Sequence, residues 1–137
     1  MQRALADSGF VIAFVNDSDQ RHSEVRPIYF QYPHILLPRL TLVEVVYLVS
    51  RDVGIPKAIA LLKGLPRSRF ELVDSTDRDI KRAADIMQQY LDSKVDFVDA
   101  SIMAIAERLD IQTILTIDQR DFRLFRPSHC QNFTLLP

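Results

Sequence analysis

Val95-Asp96-Phe97-Val98-Asp99-Ala100-Ser101-Ile102-Met103-Ala104-Ile105-Ala106 is the stretch on which the fold turns. Two carboxylates stand three residues apart, and the run after them is apolar on every side. Wound as a helix, such a run has no solvent face and must lie inside the protein. Charged groups at the mouth of a buried helix need a reason. One is structural: Asp96 caps the helix, and Asp99 in its first turn faces the positive end of the helix dipole. The other is chemical: the two acids belong to a metal site, on which other isolated acids should then converge.

Working outward, residues 77–90 form an amphipathic helix with Ile80, Ala83, Ala84 and Met87 on one face, capped from Asp74-Ser75-Thr76. Thr113-Ile114-Leu115-Thr116-Ile117 reads as a strand with Asp118 at its carboxyl end, and residues 133–136 as a further strand. Toward the amino terminus, residues 3–6 form a short strand, followed by Asp7-Ser8-Gly9 and the buried helix Phe10-Val11-Ile12-Ala13-Phe14-Val15. A turn cluster at residues 16–20 leads to a surface helix over residues 22–32, interrupted near Pro27. Ile35-Leu36-Leu37 and Phe70-Glu71-Leu72-Val73 are strands, and helices over residues 41–49 and 57–65 separate them. The only charge within residues 41–49 is Glu44.

With 137 residues, 47% apolar and 26% charged, the chain reads as one domain, 1–137, with a sizeable core. The net charge of −1 does not advertise a nucleic-acid binder, so a nucleic acid would have to meet a local basic patch. The single cysteine, Cys130, excludes an intramolecular disulfide and a thiolate metal cluster and agrees with a reducing compartment. The apolar runs fall short of a membrane span, and Met1-Gln2-Arg3-Ala4 leads into structure rather than into a cleavable signal. The expectation is a cytoplasmic protein with no membrane partner.

Short apolar strands alternating with helices argue for a parallel sheet covered on both faces. Ligands of such sheets gather beyond the carboxyl ends of the strands, where the strand order switches. Asp7 and Asp118 each follow a strand, Glu44 lies in the first turns of the helix after the second strand, and Asp99 opens the helix before the fourth. All four belong to one edge of the sheet. Each also has an ordinary explanation: Thr41-x-x-Glu44 has the spacing of a capping box, Asp7 and Asp118 suit turns, and Asp96 or Asp99 suits a cap. Together, four crowded carboxylates would repel one another, and a divalent cation removes the conflict. An all-oxygen donor set selects Mg²⁺ or Mn²⁺, and the chemistry it suits best is phosphodiester hydrolysis.

Asp7-Ser8-Gly9, Thr41-Leu42-Val43-Glu44-Val45, Asp96-x-x-Asp99-Ala100-x-Ile102-x-Ala104 and Leu115-Thr116-Ile117-Asp118-Gln119-Arg120-Asp121-Phe122 make the chain resemble the PIN-domain ribonucleases, and within them the VapC-like toxins of toxin–antitoxin pairs. The resemblance implies a three-layer α/β/α PIN-like fold with a four- to five-stranded parallel sheet. It also implies a metal-dependent endoribonuclease whose acids hold Mg²⁺ or Mn²⁺. Carried over, Asp7, Glu44, Asp99 and Asp118 are the catalytic, metal-binding quartet. Ser8 and Thr116 are supporting hydroxyls, Asp96 is an extra outer acid, and Asp121 is a structural cap beside Phe122. The expected partners are an RNA substrate, a cognate antitoxin and a second copy in a homodimer.

Arg120, Arg123 and Arg126, with His129, form a basic cluster after the fourth strand, either an RNA-phosphate contact or a solvated loop. Tyr47 suits the core or a dimer interface. A receiver-like signalling domain is excluded, because only Asp7 follows the first strand and no Lys occurs after Lys94. Two alternatives keep the fold: an RNA-processing nuclease and a catalytically inactive PIN-like binding module.

Overall fold

The computed structural model describes residues 3–137; the expected leaderless start at Met1 and Gln2 falls outside the described residues. The apolar segments become five short strands, β1 (Ala4–Ala6), β2 (Ile35–Pro38), β3 (Phe70–Val73), β4 (Thr113–Leu115) and β5 (Thr134–Leu136). They form one sheet in the order β3-β2-β1-β4-β5, with every neighbouring pair parallel. Parallel neighbours need long crossovers. Here these are α1 (Ser8–Val15) and α2 (His22–Gln31), then α3 (Thr41–Asp52) and α4 (Ile55–Gly64), then α5 (Asp77–Gln89) and α6 (Phe97–Leu109), and last α7 (Arg120–Leu124).

The layering follows from the two-residue period of a strand. Ala4, Ala6, Ile35, Leu37 and Leu115 face a core shared with α1 to α4, whereas Leu5, Leu36 and Ile114 face a core shared with α5 to α7. Crossovers keep one hand, so connections running outward on opposite sides of β1 cover opposite faces of the sheet. The result is the expected α/β/α arrangement. In α6, Ala100 through Ala106 are all buried, as a run without a polar face requires.

Three local expectations are corrected. Pro27 does not interrupt α2 but lies inside it. The helix loses one backbone bond there. Burial of Val25 and Tyr29 on either side of Pro27, with Tyr29 stacked 3.8 Å from Phe14, holds it in place. The inward face of α5 is Asp79, Ala83 and Ile86, while Ile80 is 49% exposed and Ala84 is also on the outside. Asp79 takes the inward position because it completes a capping box with Thr76 and pairs with Arg108 on α6 at 2.9 Å. Tyr47 is not a core residue: it is exposed on α3, beside Val43.

Candidate active site

The strand order reverses direction between β1 and β4, and both strands end in acids. Asp7 leaves β1 as the N-cap of α1, its Oδ1 accepting from the Phe10 N–H at 3.0 Å. Its Oδ2 accepts a 2.5 Å hydrogen bond from the Thr116 hydroxyl, one residue past β4. Thr116 is therefore committed to orienting the acid. Burial pushes the Asp7 carboxyl up to about 6 against the two hydrogen bonds, and the nearby charges of Asp118 and Glu44 add to the rise.

Asp99 stands in the first turn of α6, and its N–H donates to the capping carboxylate of Asp96 at 2.8 Å. The capping role of Asp96 is therefore met, and its charge also acts on the cleft. Burial first, then the charge of Asp96, hydrogen-bonding reach of the Asp121 carboxyl and the charge of Asp7 push Asp99 up to about 8. Asp121 is thus not the cap of α7, a place taken by Gln119, but a side chain beside Asp99 that also pairs with Arg120 at 3.0 Å.

Glu44 is not part of a capping box. Helix α3 begins after Leu40 without a side-chain cap, and the Thr41 hydroxyl donates instead to the Pro38 carbonyl at 2.7 Å. The Glu44 carboxylate remains at the cleft. Asp7, Glu44, Asp96, Asp99 and Asp118 line one cavity of about 360 Å³, joined by Asp19. Asp7 is buried at its floor, Asp99 is half-buried in its wall, and Glu44 and Asp118 are exposed at its rim. A cavity of about 490 Å³ between α1, α2 and α4 contains Asp17 as its only acid and is lined mainly by apolar and basic side chains.

Ser8 Oγ is buried in the cleft wall without a hydrogen-bond partner among the described residues. A buried hydroxyl left this way costs about 1–3 kcal/mol. An oxygen-rich set, two carboxyls held above their ordinary range and an orphaned hydroxyl fit a hard divalent cation. Among the described residues, no three His, Cys, Asp or Glu side chains are gathered closely enough to hold a metal ion as they stand.

The basic cluster does not line this cleft. Arg120 donates to Asp121 and the Ser93 carbonyl, Arg123 to Gln119, and Arg126 to carbonyls of its own loop. The cation lining the cleft is Arg21, in the turn before α2. No spacing in the sequence marks it, because the loop that carries it reaches the acids only through the fold.

The PIN domain profile matches residues 4–126. The chain belongs to the PIN-domain family. This bears out the resemblance drawn from its motifs. The PIN-domain chain is 28% identical to ribonuclease VapC26 of Mycobacterium tuberculosis, over 97% of its own length and 99% of that protein's. Its fold is similar to that of VapC20 of Mycobacterium tuberculosis, described as a sarcin-ricin loop cleaving toxin, with a TM-score of 0.77, 21% identity, and 85% and 90% of the two chains covered. It is also similar to a chain of a toxin–antitoxin complex from Klebsiella pneumoniae, with a TM-score of 0.65, 21% identity, and 87% and 89% covered.

Proposed function

We propose that this PIN domain is a metal-dependent endoribonuclease that hydrolyses RNA phosphodiester bonds as the toxin of a toxin–antitoxin pair. The observation that carries this reading is the convergence of Asp7, Glu44, Asp99 and Asp118 on one cavity at the switch point, with Asp7 and Asp99 both held above the ordinary carboxylate range. The likeness to a ribonuclease over nearly the whole chain supports it.

Asp7, Glu44, Asp99 and Asp118 would hold Mg²⁺ or Mn²⁺. Bound there, the cation would supply charge neutralisation at the phosphate and activation of a water. The chain's own residues prepare the place. Thr116 and the Phe10 N–H fix both oxygens of Asp7, Asp96 anchors the turn that presents Asp99, and Ser8 keeps a buried, unpartnered hydroxyl in the cleft wall. The exposed carboxylates of Glu44 and Asp118 stand where an extended strand of RNA can approach.

The antitoxin is a separate chain that covers this cleft, and the toxin works as a homodimer in the cytoplasm, where its RNA and its antitoxin are. No described helix is long and apolar enough to cross a membrane. The test is cleavage of a fluorescent single-stranded RNA with Mg²⁺ or Mn²⁺, beside EDTA and Asp99→Asn. Cleavage lost in both controls supports the reading. Silence on several RNAs, with no metal binding by calorimetry, overturns it.

A further inference from the structure

We infer that Arg21 is the phosphate-positioning residue of this cleft, its guanidinium gripping an RNA phosphate beside the bond that is cut. The inference rests on the nuclease reading above. A cavity lined by Asp7, Asp19, Glu44, Asp96, Asp99 and Asp118 repels a polyanion everywhere except where a cation is bound or built in. Among the described residues, Arg21 is the only built-in cation in that lining.

Its donors are also available. The Arg21 Nε is paired with Glu24 in the first turn of α2, and the backbone N–H donates to Asp19 Oδ1 at 2.8 Å. Those two contacts fix where the guanidinium sits. Its Nη groups make no hydrogen bond among the described residues, and the side chain is 40% exposed. A planar fork with one edge anchored and its terminal donors unengaged is suited to a phosphate, which accepts two parallel hydrogen bonds from it. Arg120, Arg123 and Arg126 do not compete for this place, because none of them lines the cavity.

The experiment measures kcat and KM on a fluorescent single-stranded RNA, with Mg²⁺ or Mn²⁺ across a salt series, for wild type, Arg21→Ala, Arg21→Lys and Lys63→Ala. In parallel, fluorescence anisotropy measures binding of the same RNA to Asp99→Asn with and without Arg21→Ala. Arg21→Ala is expected to lower kcat/KM about tenfold, mainly through KM, and to flatten the dependence of log binding on log salt by about 0.7, the value for one phosphate of a single strand. Arg21→Lys falls between the two, and Lys63→Ala, which removes one exposed charge far from the cleft, matches wild type. Equal KM for wild type and Arg21→Ala, with equal salt slope and anisotropy for Asp99→Asn with and without Arg21→Ala, overturn the inference while leaving the nuclease reading intact. RNA bound in an Arg21-dependent way but never cut supports Arg21 and overturns the nuclease reading. RNA neither cut nor bound overturns both.

Discussion

Thr116 and Asp7, 109 residues apart in sequence, are joined by a 2.5 Å hydrogen bond across the boundary between β4 and β1. The bond favours the charged form of a carboxyl that burial otherwise keeps protonated. Thr116→Val keeps the shape and removes the donor. The Asp7 carboxyl should rise further above about 6, moving the acid limb of the pH–rate profile to higher pH. Stability should fall by about 1–3 kcal/mol, the usual cost of stripping a buried group of its partner. Rate profiles and urea unfolding of the two proteins check both.

The metal-free protein should lose stability as pH rises. Asp7 and Asp99 have ordinary values of 3.8 and are pushed up to about 6 and about 8 in the fold. Between pH 4 and pH 8 the folded chain therefore binds more protons than the unfolded chain, and unfolding free energy falls with pH across that window. Glu107 acts elsewhere: burial raises its carboxyl, but the hydrogen bonds from Arg82 and Ser128 outweigh this and hold it low, so its contribution is lost only in more acidic solution. Thermal melting in EDTA should give a lower Tm at pH 8 than at pH 5. Without EDTA, added Mn²⁺ should raise Tm more at pH 8, where Asp7 is ionised and Asp99 about half so, than at pH 5, where both are mostly protonated. An EDTA curve that rises between those pH values would contradict this account.

Ser8→Ala should separate stability from activity. The Ser8 hydroxyl is buried and unpartnered, so its removal should leave stability unchanged or raise it by up to about 1 kcal/mol. Cleavage should fall at the same time, because Ser8 lines the acidic cavity beside Asp7. Paired denaturation and kinetic measurements test this, and loss of stability together with activity would make Ser8 a structural residue.

Asp79→Ala should do the reverse. Asp79 is 4% exposed, accepts from the Thr76 N–H at 2.9 Å and pairs with Arg108, tying α5 to α6. Losing the reciprocal bond to the Thr76 N–H and the ion pair with Arg108 should cost about 2–4 kcal/mol. The kcat of the folded fraction at low temperature should stay near that of wild type, since none of these groups lines the acidic cavity. Urea midpoints and low-temperature kinetics check the pair of outcomes.

The strands were legible because each is a compact apolar run, and the four acids because each interrupts or ends such a run. The cap at Asp96 was legible from its three-residue spacing to Asp99. The local role of Thr41 beside Glu44 was not, since Thr41-x-x-Glu44 carries the spacing of a capping box and only the fold shows Thr41 bonded to Pro38 instead. The inward face of α5 was misread because Ile80 is more apolar than Asp79, yet an acid with a cap and an arginine to satisfy it can occupy the interior. Asp121 and Arg21 carry no local pattern at all. Their meaning comes from residues distant in the chain: Asp99 beside the first, and the acids lining the cleft around the second.

The adjacency of β1 and β4 also sets a timetable. The ribosome delivers Asp7 well before Asp118, and the backbone N–H of Thr116 docks on the Leu136 carbonyl at 2.7 Å in β5. Contacts this far apart in sequence form late. A growing chain therefore carries its acids scattered until β4 has emerged and paired with β1. The acidic cleft therefore cannot exist before residues 113–118 have joined the sheet beside β1.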